Sequence, residues 1–157
     1  MDDPWNRAVF TPSVCYRDPA AALDWLERAF GFQRVMVITD DQGRVGHAEM
    51  NFQGQGLVMI GGDDWADFVG SPVATGGRNT QRIHVKMSEG LDAHCERARA
   101  AGAEIVRAPE DQFYGDRAYL ARDLEGHVWT FSQPIRKVSR EEAEAASGLK
   151  IEGWLEE

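Results

Sequence analysis

The sequence predicts an α+β fold of two tandem β-α-β-β-β modules forming a cupped sheet. One observation behind this is a hairpin pattern: extended stretches at 118–122 and 128–132, the second alternating with period two, joined by the polar turn Asp123-Leu124-Glu125-Gly126. The other is that the chain writes the pattern twice. A shift of 72 lays Gly43 on Gly115, His47 on Tyr119, Asn51 on Asp123, Gly54 on Gly126, Leu57 on Trp129 and Met59 on Phe131. Upstream, a shift of 71 lays Val14 on Val85, Ala22 on Ala93, Ala29 on Ala100, Gly31 on Gly102 and Val35 on Val106. A period this long exceeds solenoid repeats and suits two copies of a small α+β unit. The one-residue change of shift is expected to fall in a loop.

Residues 1–8 read as a loose leader. Residues 10–16, FTPSVCY, form the first strand, with Pro12 tolerable only near its beginning or on an edge. Asp18 as N-cap and Pro19 at the first helical position start a helix over 20–30. Its Leu23, Leu26, Ala29 and Phe30 share one stripe, and Gly31 stops it. Strands follow at 32–39, 45–52 and 55–61, separated by Asp40-Asp41-Gln42-Gly43 and Gln53-Gly54. Residues 62–79, glycine-containing and without periodicity, are the linker, with Trp65 and Phe68 as candidates for a surface contact. The second copy opens with a strand at 81–87, a helix at 91–101 ended by Gly102, and a strand at 104–108 before the hairpin. Ser139 and Glu142 make a capping box for a helix at 141–147 that Gly148 stops. The tail 151–155 carries Trp154, which needs apolar cover. The organisation is a first module at 9–61, a linker at 62–79, a second module at 80–133 and a C-terminal helical tail at 134–157.

With 43% hydrophobic and 10% aromatic residues, the 157-residue chain has material for a sizeable core. Its 17 basic and 26 acidic residues give a net charge of −9, which argues against nucleic acid or an anionic membrane surface as partner. No apolar run approaches the roughly 20 residues of a membrane span, and MDDPWNRAV lacks the regions of a signal peptide, so the expected location is cytoplasmic. Cys15, in an apolar strand, and Cys95, on a helix, read as buried inert thiols.

A single β-α-β-β-β unit covers one sheet face with its helix and leaves the other open. Two such open faces are expected to line a cavity for a ligand. Alternation assigns the lining. Arg82, His84 and Lys86 point away from Ile83, Val85 and Met87; His47, Glu49 and Asn51 point away from Gly46, Ala48 and Met50. On the last strand Trp129 and Phe131 take the core side and leave Val128, Thr130 and Ser132.

The duplicated unit, the helix end RARAAGAEIV and above all YGDRAYLARDLEGHVWTFSQ resemble the vicinal oxygen chelate superfamily. That superfamily includes glyoxalase I, extradiol dioxygenases, fosfomycin resistance enzymes and bleomycin resistance proteins. The resemblance is strongest to its PhnB-like uncharacterised bacterial group and runs over 10–133, leaving the tail from Pro134 outside. It implies a homodimer and a divalent metal held from the first and last strand of each copy. Those positions fall on Thr11, Val58, Arg82 and Thr130. None is a good ligand, and Arg82 would repel a cation. A metal needs about three or four N, O or S donors, so no metal cofactor is expected. A slip of one residue in the strand alignment would replace Arg82 by His84 and restore one ligand.

Two functions are compatible with these residues. One is binding of a small anionic or aromatic molecule in the sheet cavity without the usual metal, using His47, Glu49, Arg82, His84, Lys86, Arg122 and Thr130. The alternative is a metal-dependent lyase or dioxygenase of the glyoxalase type with displaced ligands such as His47, Glu49 and His84. Against both stands a plainer reading. Here the cations pair with carboxylates such as Glu49 or Asp123, Asp116 pairs with Arg117, His94 is solvated on its helix and His127 serves its turn. The partners expected are a small-molecule ligand and a second copy of the chain, met through Trp65, Phe68 or Trp154.

Overall fold

In a computed structural model, residues 8–154 are described. The expected leader, apart from Ala8, and Leu155 of the tail lie outside them. The Asp18 carboxylate accepts from the Ala21 N–H at 3.0 Å and Pro19 opens α1 (Pro19–Phe30), so the start signal works as read. Gly31, at φ 72°, ends the helix in the left-handed region. Before α1 comes β1 (Ser13–Tyr16), and after it β2 (Phe32–Thr39), β3 (Val45–Phe52) and β4 (Gln55–Gly62). The first strand is shorter than expected because Pro12 has no N–H to give a ladder and Phe10 points into solvent. The Pro12 carbonyl still accepts from the Met59 N–H at 2.9 Å. The second module repeats the order with β5 (Ile83–Lys86), α2 (Leu91–Ala100), β6 (Glu104–Asp111), β7 (Asp116–Arg122) and β8 (Val128–Pro134), and α3 (Arg140–Ser147) follows.

The expected tandem β-α-β-β-β fold is what the chain forms, with its strands in two four-stranded sheets ordered β1-β4-β3-β2 and β5-β8-β7-β6. In each, the outer first strand pairs parallel with the last and the remaining pairs are antiparallel. Register corrects one detail of the sequence alignment. His84 pairs with Thr130 as Ser13 pairs with Met59, and Tyr119 pairs with Phe131 as Ala48 pairs with Ile60. The modules are therefore related by a shift of 71 through the hairpins too. Aligning the turn glycines gave 72 because Gly54 and Gly126 occupy different places in their turns. The first turn is two residues, Gln53 and Gly54, both at positive φ, and the second closes around Asp123. Tyr119 thus matches Ala48 rather than His47, and Thr130 matches Met59 rather than Val58.

Both helices lie within one shared core. Phe30 of α1 packs its ring 4.8 Å from Phe131 and 5.9 Å from Trp129 in the other module, and Phe32 lies 5.2 Å from Trp129. Burying each such side chain is worth about 1.5–3 kcal/mol. The helices also finish one another. The Trp25 indole donates to the Ala101 carbonyl at the end of α2 (2.9 Å), and Arg97 of α2 donates to the Glu27 and Arg28 carbonyls at the end of α1 (2.8 Å each). A helix end leaves carbonyls unpaired, and here each helix supplies the donors for the other.

His94 corrects an expectation. It is not solvated but buried, accepting a hydrogen bond from the Tyr119 hydroxyl at Nδ1 (2.6 Å) and donating from Nε2 to the Phe30 carbonyl (2.8 Å). Helical spacing of three and four residues puts it on the buried face of α2 beside Leu91, Cys95 and Ala98.

Candidate functional site

The segment that carries the repeat, DLEGH, turns out to join the modules. The Asp123 carboxylate accepts from the Tyr16 hydroxyl (2.6 Å), the Trp129 indole (3.0 Å) and the Glu125 and His127 amides (3.0 Å each). Burial, followed by the Asp123 charge, pushes the Tyr16 hydroxyl well above its ordinary range. Glu125 accepts from the Arg17 and Asp18 amides at the mouth of α1 (2.7 and 2.9 Å) and from the Ser71 hydroxyl of the linker. His127 donates to the Cys15 carbonyl (2.7 Å), and Asn79 ties the linker to Gly126 and Val128 (2.9 Å each). The groups richest in chemistry are consumed by this seam. They hold the open faces in place rather than line them.

Strand pairing gives the open faces as rows. On the first sheet one row runs Ser13, Met59, Glu49, Met36. Its counterpart on the second sheet runs His84, Thr130, Leu120, Arg107, and the next row runs Lys86, Ser132, Ala118, Glu110. The structure brings His84 and Ser132 together, ring Nε2 to hydroxyl at 2.8 Å, with Thr130 buried beside them. It places His47 Nε2 3.5 Å from Glu49 Oε1 on the other sheet, with Glu49 nearly buried. Arg122 is engaged by Glu104 at 2.7 Å, and Arg82 is exposed just before β5. Arg117 does not pair with Asp116; it bridges Asp92 of α2 (3.0 Å) and Asp111 (2.7 Å), its register partner across β6 and β7. Ser132, the partner of His84, is the residue sequence reasoning left without a role. No local pattern reveals it, because β5 and β8 meet only through the crossover.

The positions that would hold the metal implied by the resemblance are poor in donors. Val58 faces the core, Thr11 and Thr130 are hydroxyls, and the row-matched positions Ser13, Met59, His84 and Thr130 include one ordinary ligand, His84. Among the described residues no three His, Cys, Asp or Glu side chains converge on one point, so His47, Glu49 and His84 assemble no displaced site there. The donor set does not fit a divalent metal.

Two clefts flank the seam. One, of about 260 Å³, runs from the turn end of the first sheet to β5; Phe32, Phe52, Leu57 and Trp129 form its apolar wall and His84 and Lys86 its polar edge. The other, of about 280 Å³, lies under the linker, where Trp65 and Phe68 meet edge to face at 5.3 Å above Cys15, Arg78 and His127. Burial pushes the Cys15 and Cys95 thiols up, which suits neither to act as a nucleophile.

Comparison with known proteins agrees with this architecture. An uncharacterized protein of Mycobacterium bovis is 31% identical over 149 residues, covering 92% of this chain and 95% of its own length. Among solved structures, TioX from Micromonospora sp. ML1 is 35% identical with a TM-score of 0.65, covering 82% of this chain and 99% of TioX. TnmS3, an antibiotic binding protein from Streptomyces sp. CB03234, shares the fold at 20% identity and a TM-score of 0.63, covering 81% of this chain and 95% of TnmS3. Residues 8–131 match the family profile directly, and the chain belongs to the Glyoxalase/Bleomycin resistance protein/Dioxygenase superfamily.

Proposed function

We propose that this protein is a metal-independent binding protein for a small planar molecule, held between the ring-walled cleft and the open face of the second sheet. The observation that carries the reading is the 260 Å³ cleft, where aromatic walls meet His84 and Lys86 at one edge, in a chain whose metal positions lack a donor set. His84, its ring held by Ser132 at 2.8 Å, stands at the cleft edge to bond a ligand oxygen, and Arg82 and Lys86 favour a ligand with a carbonyl or an acid group. That TnmS3 is an antibiotic binding protein on the same fold is consistent with such a role.

The protein is proposed to act as a homodimer. By the shift of 71, the edge strand β2 carries Met36, Val37 and Ile38 where β6 carries Arg107, Ala108 and Pro109. The three apolar residues are 40%, 38% and 52% exposed. At these positions the second edge carries charge and proline, whereas the first presents three consecutive apolar residues.

Two measurements test the reading. Metal analysis of the purified protein is expected to find no stoichiometric divalent ion. Titration with 2-naphthol is expected to shift the amides of Asn51, Phe52 and Leu57 saturably, weakening about tenfold in His84→Ala. A stoichiometric ion that is lost on replacing His47 or Glu49 would instead favour the metal-dependent lyase or dioxygenase alternative.

A further inference from the structure

The family match ends at residue 131, and the chain beyond it adds a built element rather than a trailing end. The Ile135 and Arg136 amides both donate to the Gly115 carbonyl (2.9 and 3.1 Å), fastening the tail at the entrance to the β7–β8 hairpin. Ser139 and Glu142 complete their capping box, Val138 and Ala143 are buried, and Glu144 accepts from the Ile151 amide at 2.7 Å. The Trp154 indole then donates to the Val138 carbonyl at 2.9 Å, which holds its ring in place.

So fastened, the tail forms one side of an open cleft of about 980 Å³ at the end of the second sheet's open face. Tyr114, Trp154, Lys86, Arg136 and Asp116 line it. Lys86 and Arg136 are exposed and form no salt bridge among the described residues, although the chain carries a net charge of −9. Unpaired cations gathered in one concavity of an acidic protein attract an anion from outside it. Two aromatic rings in the same lining select a flat, apolar body for that anion.

We infer that the tail builds a binding site for a planar aromatic anion, with Lys86 and Arg136 meeting the acid group and Trp154 and Tyr114 the ring. The inference goes beyond the proposed function: of these residues only Lys86 also lines the cleft beside Phe32 and Phe52. Asp116 on the wall adds discrimination, since it repels a second negative charge on the ligand.

The test is amide-resolved NMR of the full chain with 2-naphthoate, and with 2-naphthylmethylammonium as the charge-reversed control. The expected result is saturable shifts at the Trp154 indole N–H and the Gly153 and Val138 amides with naphthoate and not with the ammonium. Affinity read at the Trp154 indole N–H should fall about tenfold in Arg136→Gln and stay unchanged in Lys150→Gln, an exposed tail residue outside both clefts. Arg136 is exposed, so an unchanged melting temperature of Arg136→Gln separates lost binding from lost folding. Shifts confined to Asn51, Phe52 and Leu57 would overturn the inference and leave the proposed function standing. Shifts at Trp154 alone that respond to Arg136 would do the reverse, and equal response to both probes, or none at Trp154, overturns the inference.

Discussion

Asp123 and His94 show how single residues hold this molecule together. Asp123→Ala would strip the Tyr16 hydroxyl, the Trp129 indole and two amides of their acceptor inside the seam. Each buried donor left unmet costs about 1–3 kcal/mol, so urea denaturation should show a loss of about 3 kcal/mol or more. His94 yields a pH dependence of definite sign. Burial, the largest cause, and the nearby Arg97 charge hold its imidazole below the ordinary value of 6.5, partly opposed by the bond to the Phe30 carbonyl. The unfolded chain therefore binds this proton first. The stabilisation is complete above about pH 6.5 and is lost as the pH falls toward the lower folded value, with a slope of at most about 1.4 kcal/mol per pH unit. Melting curves from pH 7.5 to 5.5 should drop more steeply for the natural protein than for His94→Gln.

Among the elements, the tail is the most sharply testable. Gly115 stands at φ 97°, and an added Cβ would collide with the Arg136 carbonyl oxygen and meet the Val138 side chain at 2.9 Å. Gly115→Ala should release the tail at a cost of about 1–3 kcal/mol. Limited proteolysis should then cut between residues 136 and 154 while the modules stay intact. The helix pair is the second case: Arg97→Ala removes the donors to the Glu27 and Arg28 carbonyls without touching the core rings. Hydrogen exchange should accelerate at the last turn of α1 first.

At the scale of the whole molecule, the contrast between β2 and β6 predicts an assembly. Light scattering should give twice the chain mass of 17.5 kDa, and Val37→Lys, which places a charge in the apolar run of this edge, should return it to a single chain. A monomer at micromolar concentration for the natural protein would count against dimerisation through this strand. The shared core makes the two modules one folding unit, so urea unfolding should be a single transition rather than two.

Sequence alone determined the elements and their duplication, because each rests on local chemistry. The Asp18-Pro19 start, the Gly31 stop, the capping box at Ser139 and the period-two strands need no distant partner. Alternation also placed Thr130 and Ser132 on the face opposite Trp129 and Phe131. Register across the hairpins was legible only to within one residue, since turn glycines slide within a turn while strand pairing does not. The tertiary structure alone decided what those residues touch. It sent Asp123 and Glu125 to the module seam, buried His94 against a carbonyl 64 residues away, paired His84 with Ser132 and raised the tail over Lys86. Such contacts join segments far apart in the chain, and only packing fixes which of many polar partners each side chain meets.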